Sequence, residues 1–588
     1  MTPPSFNLEQ LYQHEFFSNL DYAFAVSIAK IFNEDNPIVK TSLALASRFL
    51  ALGHICVDIK ECAGTQFEMC EINEMCERDE RDGGADVQAI QFPEKQTWIS
   101  ALENSSLVSD DIHTPLVLDA GHRLYISRYF DFQQRLIANI IARLKSNSGS
   151  IDINLVDQIS NTYFPEKSGE PKKPKKPDNP EHFIPQQLAI KHAVSNSFTI
   201  ISGGPGTGKT FIIKLIRQVL SEYAEKKGLP EPRILCLAPT GKAASKMEYG
   251  RTIHSALKPL NQGKKFYHNK SNPLHYDLVI IDEASMIDLP LFVRLLEAIP
   301  EKSGVILTGD AHQLSAIQAG AVFSDLCKTK ILVPHRFELE YNFRSHGKSG
   351  IEKLSQAIKD GNSESVEALL LSDNYPDIQF IELSKADSLK DILTQIIPGG
   401  YNSLIKAENI EQALENIDSF RILCAHYKGY YGTQQINPLC EKILQSLKNF
   451  DIQSKSFKPV MIRSNDYKRD LFNGDTGILS EQNTEQSTGQ NNESMAFFKK
   501  ADDKIKTFRY SDLPAHESAF AITVHKSQGS EFDTVLIIIP DKFSPVVTRE
   551  LLYTGVTRAR KKVILVSNRA IIKNAIAFNV KRYSGIGD

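Results

Sequence analysis

The stretch that decides the fold is Gly203-Gly204-Pro205-Gly206-Thr207-Gly208-Lys209-Thr210. It follows the apolar run Thr199-Ile200-Ile201 and leads into a helical pattern at 211–220. A glycine-rich turn between a buried strand and a helix lets backbone N–H groups close on phosphates. In such a loop Lys209 reaches the β and γ oxygens and the Thr210 hydroxyl binds magnesium. The sequence therefore predicts an ATP and Mg²⁺ site with these eight residues as its phosphate-binding loop.

Other short apolar runs have the composition of buried parallel strands. They lie at 234–237, 278–281 and 305–307, and again at 421–424, 519–522, 534–537 and 562–565. Each series alternates with helical patterns, which is typical of doubly wound α/β domains. We therefore expect two such domains, at 183–345 and 346–588, on either side of a cleft.

Two adjacent carboxylates, Asp282 and Glu283, follow the run at 278–281. This place suits an aspartate that holds the metal and a glutamate that orients or deprotonates the attacking water. Hydrolysis also needs cations near the γ-phosphate, and Arg344 and Arg558 are suited to supply them when the cleft closes. The expected catalytic residues are Lys209, Thr210, Asp282, Glu283, Arg344 and Arg558, with Thr210 and Asp282 at the metal.

Residues 166–182 contain four prolines and five lysines and almost nothing apolar. This composition is typical of a solvated, semi-rigid linker, although its KKPKK run also suits a DNA-contacting tail. Before the linker, helical spacing at 21–32 and 42–52 predicts a mainly helical domain over residues 1–112. Strand-like runs at 115–118 and 124–126 fall in a connecting segment at 113–165.

Composition and charge argue against a membrane-spanning or secreted protein. The 588 residues carry a net charge of −3, so the overall charge gives no sign of nucleic-acid binding. The segment 58–95 has eleven acidic against four basic residues and would repel a phosphate backbone. No apolar run is long enough to span a membrane and no secretory signal is present, so we expect a cytoplasmic protein. Cys62, Cys70 and Cys76 match no common zinc or iron–sulfur spacing.

The order of the motifs resembles that of superfamily 1 helicases over about 400 residues, from the linker to the C-terminus. The further motifs that carry the resemblance are Gln186, Ala238-Pro239-Thr240-Gly241-Lys242-Ala243-Ala244, Thr252-Ile253-His254, Gly309-Asp310-Ala311-His312-Gln313-Leu314, Tyr341-Asn342-Phe343-Arg344-Ser345, Ala521-Ile522-Thr523-Val524-His525-Lys526-Ser527-Gln528-Gly529-Ser530-Glu531-Phe532 and Leu552-Tyr553-Thr554-Gly555-Val556-Thr557-Arg558-Ala559-Arg560. The sequence departs from the usual pattern at Gly555, where alanine is commoner, and at Phe343, where tyrosine is common. Neither departure changes the charge.

This resemblance implies two RecA-like domains that hydrolyse ATP between them. It implies that Gln186 reads the adenine, Glu531 contacts the ribose and Gln313 senses the γ-phosphate. It also implies a set of contacts to single-stranded DNA, namely Pro239, Thr240, Lys242, Thr252, His254, Thr523 and His525.

Within the superfamily, the chain resembles the RecD family, the alpha subunits of bacterial RecBCD helicase–nucleases (exodeoxyribonuclease V). The similarity lies in the stretches 459–478, 20–57 and 115–125. It implies 5′-to-3′ movement on DNA, an inserted SH3-like barrel at about 455–515 with a polar loop at 481–496, and an N-terminal domain that docks on a RecC-like subunit. A RecB-like partner would then supply the nuclease, and the complex would process double-strand DNA ends for recombinational repair and degrade linear DNA.

Three other functions remain open from the residues. A standalone RecD-like helicase would act without partners, and a regulatory ATPase subunit would not unwind DNA. A kinase with the same phosphate-binding loop would lack the series from His525 to Arg558. Inside the first α/β domain, the basic and aromatic insert at 257–276 is either an element that splits the duplex or a solvated hairpin.

Overall fold

The computed structural model describes residues 6–68, 89–146, 151–164, 183–260, 265–316, 318–343, 349–383, 388–448, 457–466, 468–482, 493–500, 504–542, 544–578 and 581–587. The predicted linker, most of the polar loop at 481–496, Arg344, Cys70 and Cys76 lie outside these ranges. Within them, none of the helices combines the length and apolar character needed to cross a membrane.

The N-terminal unit packs helices against a small sheet. Its elements are α1 (Leu8–Gln13), α2 (Asn19–Phe32), α3 (Pro37–Ala51), β1 (Val57–Asp58), α4 (Ile59–Cys62), β2 (Gln66–Glu68), β3 (Ala89–Gln91), α5 (Lys95–Glu103), β4 (Val108–Ser109), β5 (Leu116–Leu118), β6 (Arg123–Ile126), α6 (Ser127–Lys145) and α7 (Ile153–Asn161). Ser18 and Asp21 form a capping box that starts α2, and Pro37 begins α3, where its missing N–H costs nothing. Both predicted helices are confirmed.

The sheet of this unit has the order β1-β6-β5-β4. It therefore continues past residue 112, where the sequence predicted a boundary, because β5 and β6 complete the sheet that β1 and β4 begin. Short strands at distant positions carry no local signal of their pairing, which is why this junction was not visible in the sequence.

The first α/β domain contains α8 (Ile184–Ser195), β7 (Phe198–Gly203), α9 (Lys209–Lys227), β8 (Ile234–Ala238), α10 (Gly241–Ala244), β9 (Arg251–Thr252), α11 (Ile253–Leu257), β10 (Pro259–Leu260), β11 (Lys265–Phe266), β12 (Leu278–Ile281), α12 (Leu289–Ala298), β13 (Gly304–Gly309), α13 (Val322–Lys328) and β14 (Arg336–Leu339). Six of these eight described strands form an all-parallel sheet in the order β14-β7-β13-β12-β8-β9, and β10 and β11 form a separate antiparallel pair. The predicted buried strands are confirmed, and their carboxyl ends meet at one edge, which is where open α/β sheets place their ligands.

The second α/β domain contains α14 (Gly350–Lys359), α15 (Ser363–Leu370), β15 (Ile378–Glu382), α16 (Leu389–Gly400), α17 (Asn402–Ile405), α18 (Ile410–Asn416), β16 (Phe420–Cys424), α19 (Thr433–Lys448), β17 (Phe457–Ile462), β18 (Thr476–Gln482), β19 (Glu493–Lys499), β20 (Ile505–Arg509), β21 (His516–Ser518), β22 (Ala521–Thr523), β23 (Phe532–Ile538), α20 (Arg549–Val556), β24 (Ala559–Ser567) and α21 (Arg569–Ala577). Five of the strands form a parallel sheet in the order β15-β24-β23-β16-β22. The two predicted parallel α/β domains are therefore present.

The remaining strands of this domain, β17 to β21, form an inserted antiparallel sheet in the order β20-β19-β18-β17-β21. Its own small core includes Val460, Ile462, Leu471 and Phe498. Among the residues that the structure describes, the edge strands β20 and β21 do not pair with each other.

The N-terminal unit shares a core with the first α/β domain. Helix α6 packs against α12, and Phe132, Leu136 and Ile140 of α6 belong to the same buried cluster as residues of the parallel sheet. The C-terminal segment 581–587 returns to this junction, where Ile586 is buried in the same cluster. The elements that precede the linker are therefore part of the body that carries the phosphate-binding loop.

Candidate nucleotide and DNA site

The phosphate-binding loop has the geometry that its glycines predict. Gly206 and Gly208 have φ values of +83° and +92°, a region that residues with a Cβ rarely occupy. The loop turns directly into α9, which starts at Lys209, and Thr210 is exposed at the same end. The Lys209 ammonium donates to the carbonyls of Gly203 and Gly204. These contacts hold the lysine over the loop at a helix N-terminus, where phosphate oxygens are favoured.

Gln186 lies beside this loop with an unused acceptor. Its side-chain amide donates to the Thr207 carbonyl at 3.3 Å, whereas its Oε1 is buried without a hydrogen-bond partner. The Phe343 N–H donates to the Gly206 carbonyl, and the Phe343 ring stacks on Phe183 with centroids 5.1 Å apart. The sequence did not single out this aromatic pair, because Phe183 and Phe343 are 160 positions apart and each alone resembles a core residue.

Asp282 and Glu283 stand at the carboxyl end of β12, next to the loop. Asp282 accepts hydrogen bonds at one oxygen, Oδ1, from the Thr308 hydroxyl at 2.5 Å and from the Glu283 N–H at 2.9 Å. Its donor set fits a hard cation, because Oδ2 stays available and carboxylate and hydroxyl oxygens are the ligands that Mg²⁺ prefers. Among the described residues, no cluster of three or more His, Cys, Asp or Glu side chains is placed to hold a metal ion.

Glu283 has a strained backbone, with a φ of +53° that is uncommon for any residue but glycine, asparagine or aspartate. Burial and the neighbouring Asp282 raise the pKa of its carboxyl, while the positive charges of Arg558 and Lys209 lower it. Glu283, Lys209 and Arg558 are therefore close enough to influence one another across the cleft. A strained, partly buried carboxylate in a field of two cations has the environment that suits a general base.

Arg558 approaches from the second domain and is almost fully buried. Its guanidinium donates to the carbonyls of Thr554 and Ser530, whereas Nη2 is buried without a hydrogen-bond partner. A buried N–H of this kind is rare in folded proteins and marks a position for an anionic acceptor.

Gln313, predicted to sense the γ-phosphate, belongs to a buried network that joins the domains. Its amide and the Tyr553 hydroxyl both donate to Asp310 Oδ2, each at 3.0 Å. A Cβ placed on Gly204 of the phosphate-binding loop would lie 3.0 Å from that Tyr553 hydroxyl. The network therefore links the loop, the end of β13 and helix α20 of the second domain. Asp310 and Tyr553 were quoted within motifs but not assigned a role from the sequence.

The next residue, Leu314, is held by the second domain at both backbone groups. Its N–H donates to the Thr554 hydroxyl at 2.9 Å, and its carbonyl accepts from the Gln528 amide at 2.6 Å. Any movement of the second domain is therefore passed to the backbone that follows Gln313.

A cavity of about 530 Å³ lies between the domains beside the phosphate-binding loop. Its lining includes Gly204, Pro205 and Thr207 on one side and Thr557 and Arg560 on the other. Glu531, the predicted ribose contact, is not part of this lining and pairs with Arg560 at 3.4 Å.

The predicted DNA contacts of the first domain lie at the carboxyl ends of β8 and β9. Thr240, directly after Pro239, starts α10 by accepting from the Ala243 N–H, and Thr252 starts α11 in the same way through Ser255. Lys242 lies against the second domain, 3.7 Å from Asp418 and over the ring of Phe532. Burial lowers the pKa of the Lys242 ammonium.

The two sets of predicted DNA contacts meet at Gly529. A Cβ on this glycine would lie 3.7 Å from the Thr240 hydroxyl, so the loop after β22 touches the start of α10. Thr523 accepts from the Lys526 N–H, and burial and the charge of Arg582 lower the pKa of His525 to about 4. Burial also lowers the pKa of His254, whose ring lies 5.9 Å from that of Phe266.

A second, larger cleft of about 1020 Å³ opens between these first-domain residues and the inserted sheet. Its charged lining is mostly basic, and the Phe472 side chain from the insert lies 3.0 to 3.2 Å from where a Cβ on Gly241 would be. The basic residues of the lining are Lys242, Arg251, Lys499, Lys500, Lys504 and Lys506. Basic side chains are a usual part of the lining of grooves for single-stranded nucleic acid.

Comparisons with known proteins agree with this arrangement. Three family models match the chain, namely the AAA domain at 186–319, the UvrD-like helicase C-terminal domain at 518–566, and the N-terminal domain of the RecBCD enzyme subunit RecD at 13–125. The RecBCD enzyme subunit RecD of Mycolicibacterium smegmatis is 28% identical over 97% of both chains. That of Haemophilus influenzae is 28% identical over 84% of both. The chain is therefore similar to RecD subunits from its N-terminal domain to its second α/β domain.

The match to the AAA domain and the similarity to RecD subunits indicate ATP as the nucleotide of this cleft. A longer relative, the ATP-dependent RecD2 DNA helicase of Deinococcus radiodurans, is 27% identical over 64% of this chain but only 48% of its own length. Among solved structures, a Pif1 helicase from Candida albicans aligns at 17% identity with a TM-score of 0.39, over 66% of this chain and 95% of that one. That likeness is too low to add to the assignment.

The cysteine cluster shows no sign of metal binding at its described member. Cys62 is a buried thiol, and burial raises its pKa to about 12. Cys70 and Cys76 lie outside the described residues.

Proposed function

We propose that this chain is an ATP-dependent 5′-to-3′ DNA helicase and the motor subunit of a RecBCD-type helicase–nuclease. The observation that carries the proposal is the buried network in which Asp310, Gln313 and Tyr553 join the phosphate-binding loop to the second domain. The backbone that follows this network is fixed to the second domain, whose loops also carry the predicted DNA contacts. Hydrolysis in the cleft is thereby connected to movement between two DNA-facing surfaces.

In this proposal the phosphates of ATP bind to the loop Gly203 to Thr210. Lys209 neutralises the β and γ oxygens, and Arg558 directs its unpartnered Nη2 to the γ-phosphate as the cleft closes. Arg344 is the second predicted arginine, and it lies outside the described residues. Glu283 orients and deprotonates the attacking water. A magnesium ion held by Thr210 and Asp282 would neutralise charge on the transferred phosphoryl group.

The adenine binds beside Gln186, whose buried Oε1 accepts from the base amino group. The Phe183–Phe343 pair provides an aromatic surface next to it. Glu531 would contact the ribose after releasing Arg560, because the pair now occupies that carboxylate.

Single-stranded DNA passes over Pro239, Thr240, Lys242, Thr252 and His254 of the first domain and over Thr523 and His525 of the second. The basic cleft beside the inserted sheet continues this path, and we assign the insert an SH3-like barrel fold that grips the strand. Lys242 becomes available to a phosphate when the domains separate from their contact at Asp418.

The hairpin β10–β11 is proposed to split the duplex. Its strands pair Pro259 with Phe266, and Leu260 and Tyr267 are about half exposed at its outer part. Lys258 lies 5.3 Å over the Tyr267 ring, so a cation and an aromatic face are presented together.

The chain assembles with RecB-like and RecC-like subunits in the cytoplasm, acts on double-strand DNA ends in recombinational repair, and leaves degradation of linear DNA to the nuclease of a RecB-like partner. The N-terminal unit is the proposed docking domain for a RecC-like subunit. The match of residues 13–125 to the N-terminal domain of the RecBCD enzyme subunit RecD supports a subunit over a standalone helicase.

The test is ATP hydrolysis by the full chain with and without single-stranded DNA, together with unwinding of duplexes that carry either a 5′ or a 3′ tail. We expect DNA-stimulated hydrolysis and unwinding from the 5′ tail, both abolished by Lys209→Gln. The matched control is Lys214→Gln on the same helix α9, five residues beyond Lys209 and outside the loop.

Hydrolysis that DNA does not stimulate would favour a regulatory ATPase or a kinase and contradict the helicase. Preference for a 3′ tail would overturn the polarity. Co-purification with RecB-like and RecC-like subunits tests the assembly, and its absence from a cell that makes both subunits would favour the standalone form.

A further inference from the structure

The C-terminal segment 581–587 crosses back from the second domain to the N-terminal unit. The Ile55 N–H donates to the Tyr583 carbonyl, and the Tyr583 N–H donates to His54 Nδ1. The Tyr583 ring stacks on that of His54, with centroids 5.0 Å apart. The segment therefore adds to the N-terminal unit as an ordered piece of chain, more than 500 positions away in the sequence.

The end of the segment is anchored separately in the first α/β domain. The Ser584 hydroxyl donates to Asp325 at 2.6 Å, and the Gly585 N–H donates to the Gln133 side chain at 2.9 Å. Ile586 is 3% exposed within the core that the N-terminal unit and the first domain share. These contacts anchor residues 584–586 and do not involve Lys581 or Arg582.

Arg582 is the residue of the segment that reaches toward the cleft. Its guanidinium donates to the carbonyls of Ala316 and Gln318, in the loop that follows Gln313. A Cβ on Gly53 would lie 2.7 Å from the Arg582 Cζ, so the turn of the N-terminal unit closes over the guanidinium. The same charge acts on His525 of the second domain and contributes to its low pKa.

The loop that Arg582 holds, 314–320, is the one that couples the domains. The second domain fixes its first residue, Leu314, through Thr554 and Gln528. The N-terminal unit fixes its last residue, because the Gly320 N–H donates to the Gly53 carbonyl at 2.9 Å. Arg582 joins these two ends by binding the carbonyls between them.

We propose that Arg582 is a positioning residue that holds the loop after Gln313 in the conformation through which DNA stimulates ATP hydrolysis. The inference rests on the proposed helicase function and deepens it. It makes the N-terminal unit, through Gly53 and the C-terminal segment, part of the coupling between nucleotide and DNA. Arg582 does not line the cavity beside the phosphate-binding loop, so we expect its loss to leave the chemistry of the cleft intact.

The experiment compares Arg582→Gln with the unchanged full chain in ATP hydrolysis over a titration of single-stranded DNA. We expect unchanged hydrolysis without DNA and a maximal DNA-stimulated rate that is lower by about five-fold or more, the range of a typical coupling between sites. The DNA concentration that gives half of the maximal rate changes little. Arg582→Lys keeps the charge and one donor and restores part of the stimulation. Lys581→Ala, which removes the exposed pair with Glu61 and the cation over the Tyr583 ring but leaves the contacts of Arg582 with the loop, is the control.

A second variant perturbs the same guanidinium through a residue of the N-terminal unit. Gly53→Ala places a methyl group against Arg582 and should reproduce the loss of stimulation. The matched control is Gly64→Ala in the same unit, because Gly64 also has a positive φ, of +71°, but its Cβ would meet Glu94 only at an ordinary 3.5 Å. Thermal unfolding of each variant separates this effect from loss of the fold.

Each outcome decides the inference. Normal stimulation of the folded Arg582→Gln protein overturns it while leaving the helicase proposal intact. An unchanged maximal rate with a raised half-stimulating DNA concentration also overturns it, since Arg582 would then only attract DNA. If DNA does not stimulate the unchanged chain, the helicase proposal fails and this inference fails with it.

Discussion

The nucleotide cleft and the contact between α6 and α12 both bury polar groups, but these groups differ in whether they have hydrogen-bond partners. At the cleft, Gln186 Oε1, Gln313 Oε1 and Arg558 Nη2 are buried without hydrogen-bond partners. At the α6–α12 contact, the fully buried Arg143 guanidinium donates to the carbonyls of Leu296, Ile299, Pro300 and Ser303 and to the Asn139 side chain.

We infer from this difference that the polar groups of the cleft are there to bind a ligand, whereas those of the α6–α12 contact stabilise the fold. A buried polar atom without a partner costs roughly 1–3 kcal/mol, which a protein recovers only when a ligand fills the site. Arg143 costs no such penalty, because its donors satisfy carbonyls at the C-terminal end of α12 that the helix itself leaves open. Substitutions at the cleft should therefore change turnover, and substitutions at the α6–α12 contact should change stability.

The largest effect is expected for Arg558→Ala. Removing an arginine that stabilises charge on the γ-phosphate lowers hydrolysis by about 10⁴-fold, while ATP still binds to the loop. Single-turnover hydrolysis and binding of a fluorescent ATP analogue measure the two steps separately. Arg569→Ala, at a half-exposed arginine of α21 outside the cavity lining, is the control. Loss of analogue binding in a folded Arg558→Ala protein would contradict the assigned role.

Glu283→Gln should come next, with a fall in hydrolysis of about 10³-fold because the general base is lost. Burial and Asp282 already raise the pKa of this carboxyl, so a neutral amide should not lower the melting temperature. The measurements are steady-state hydrolysis and thermal unfolding. Glu248→Gln, at a carboxylate whose side chain is 63% exposed, serves as the control. A variant that loses stability as well as activity would contradict the prediction that substitutions at the cleft change turnover alone.

The sequence alone predicted those features whose signal lies in consecutive residues. The phosphate-binding loop is contiguous, and parallel strands buried on both faces appear as unbroken apolar runs, so both α/β domains could be predicted. Asp282 and Glu283 were found because they directly follow such a run.

Contacts between distant segments had no such signal. The segment 581–587 is too short to show periodicity, and its role depends on Gly53 and Ala316, which lie hundreds of positions away. In the sequence, nothing distinguishes Arg143 from an ordinary basic residue in the last turn of a helix. Gly53 would have been a clue, because a glycine after a helix indicates a positive φ, but its neighbour across the fold could not be inferred.

Arg143→Met tests the other side of the comparison. The methionine keeps the buried bulk but leaves four carbonyls without their donor, and we expect a loss of about 3 kcal/mol in the free energy of unfolding. Hydrolysis by the folded fraction should stay unchanged. Urea unfolding and activity corrected for folded protein measure both quantities. Arg135→Met on the same helix, at a side chain that is 40% exposed, is the control and should cost less.

The smallest effect is expected for Asp325→Asn, which tests a partly buried carboxylate that lies in neither region. Burial raises the pKa of Asp325 to about 6 from 3.8. A carboxyl with a raised pKa binds its proton more tightly in the folded state, so its contribution is fully present below pH 3.8 and is lost as the pH rises through about 6. Asparagine cannot ionise and its side-chain oxygen still accepts from Ser584, so the variant should gain about 2 kcal/mol more stability at pH 8 than at pH 4. Unfolding free energies at the two pH values measure this difference, and an equal gain at both would mean that packing rather than ionisation sets the cost of this carboxylate.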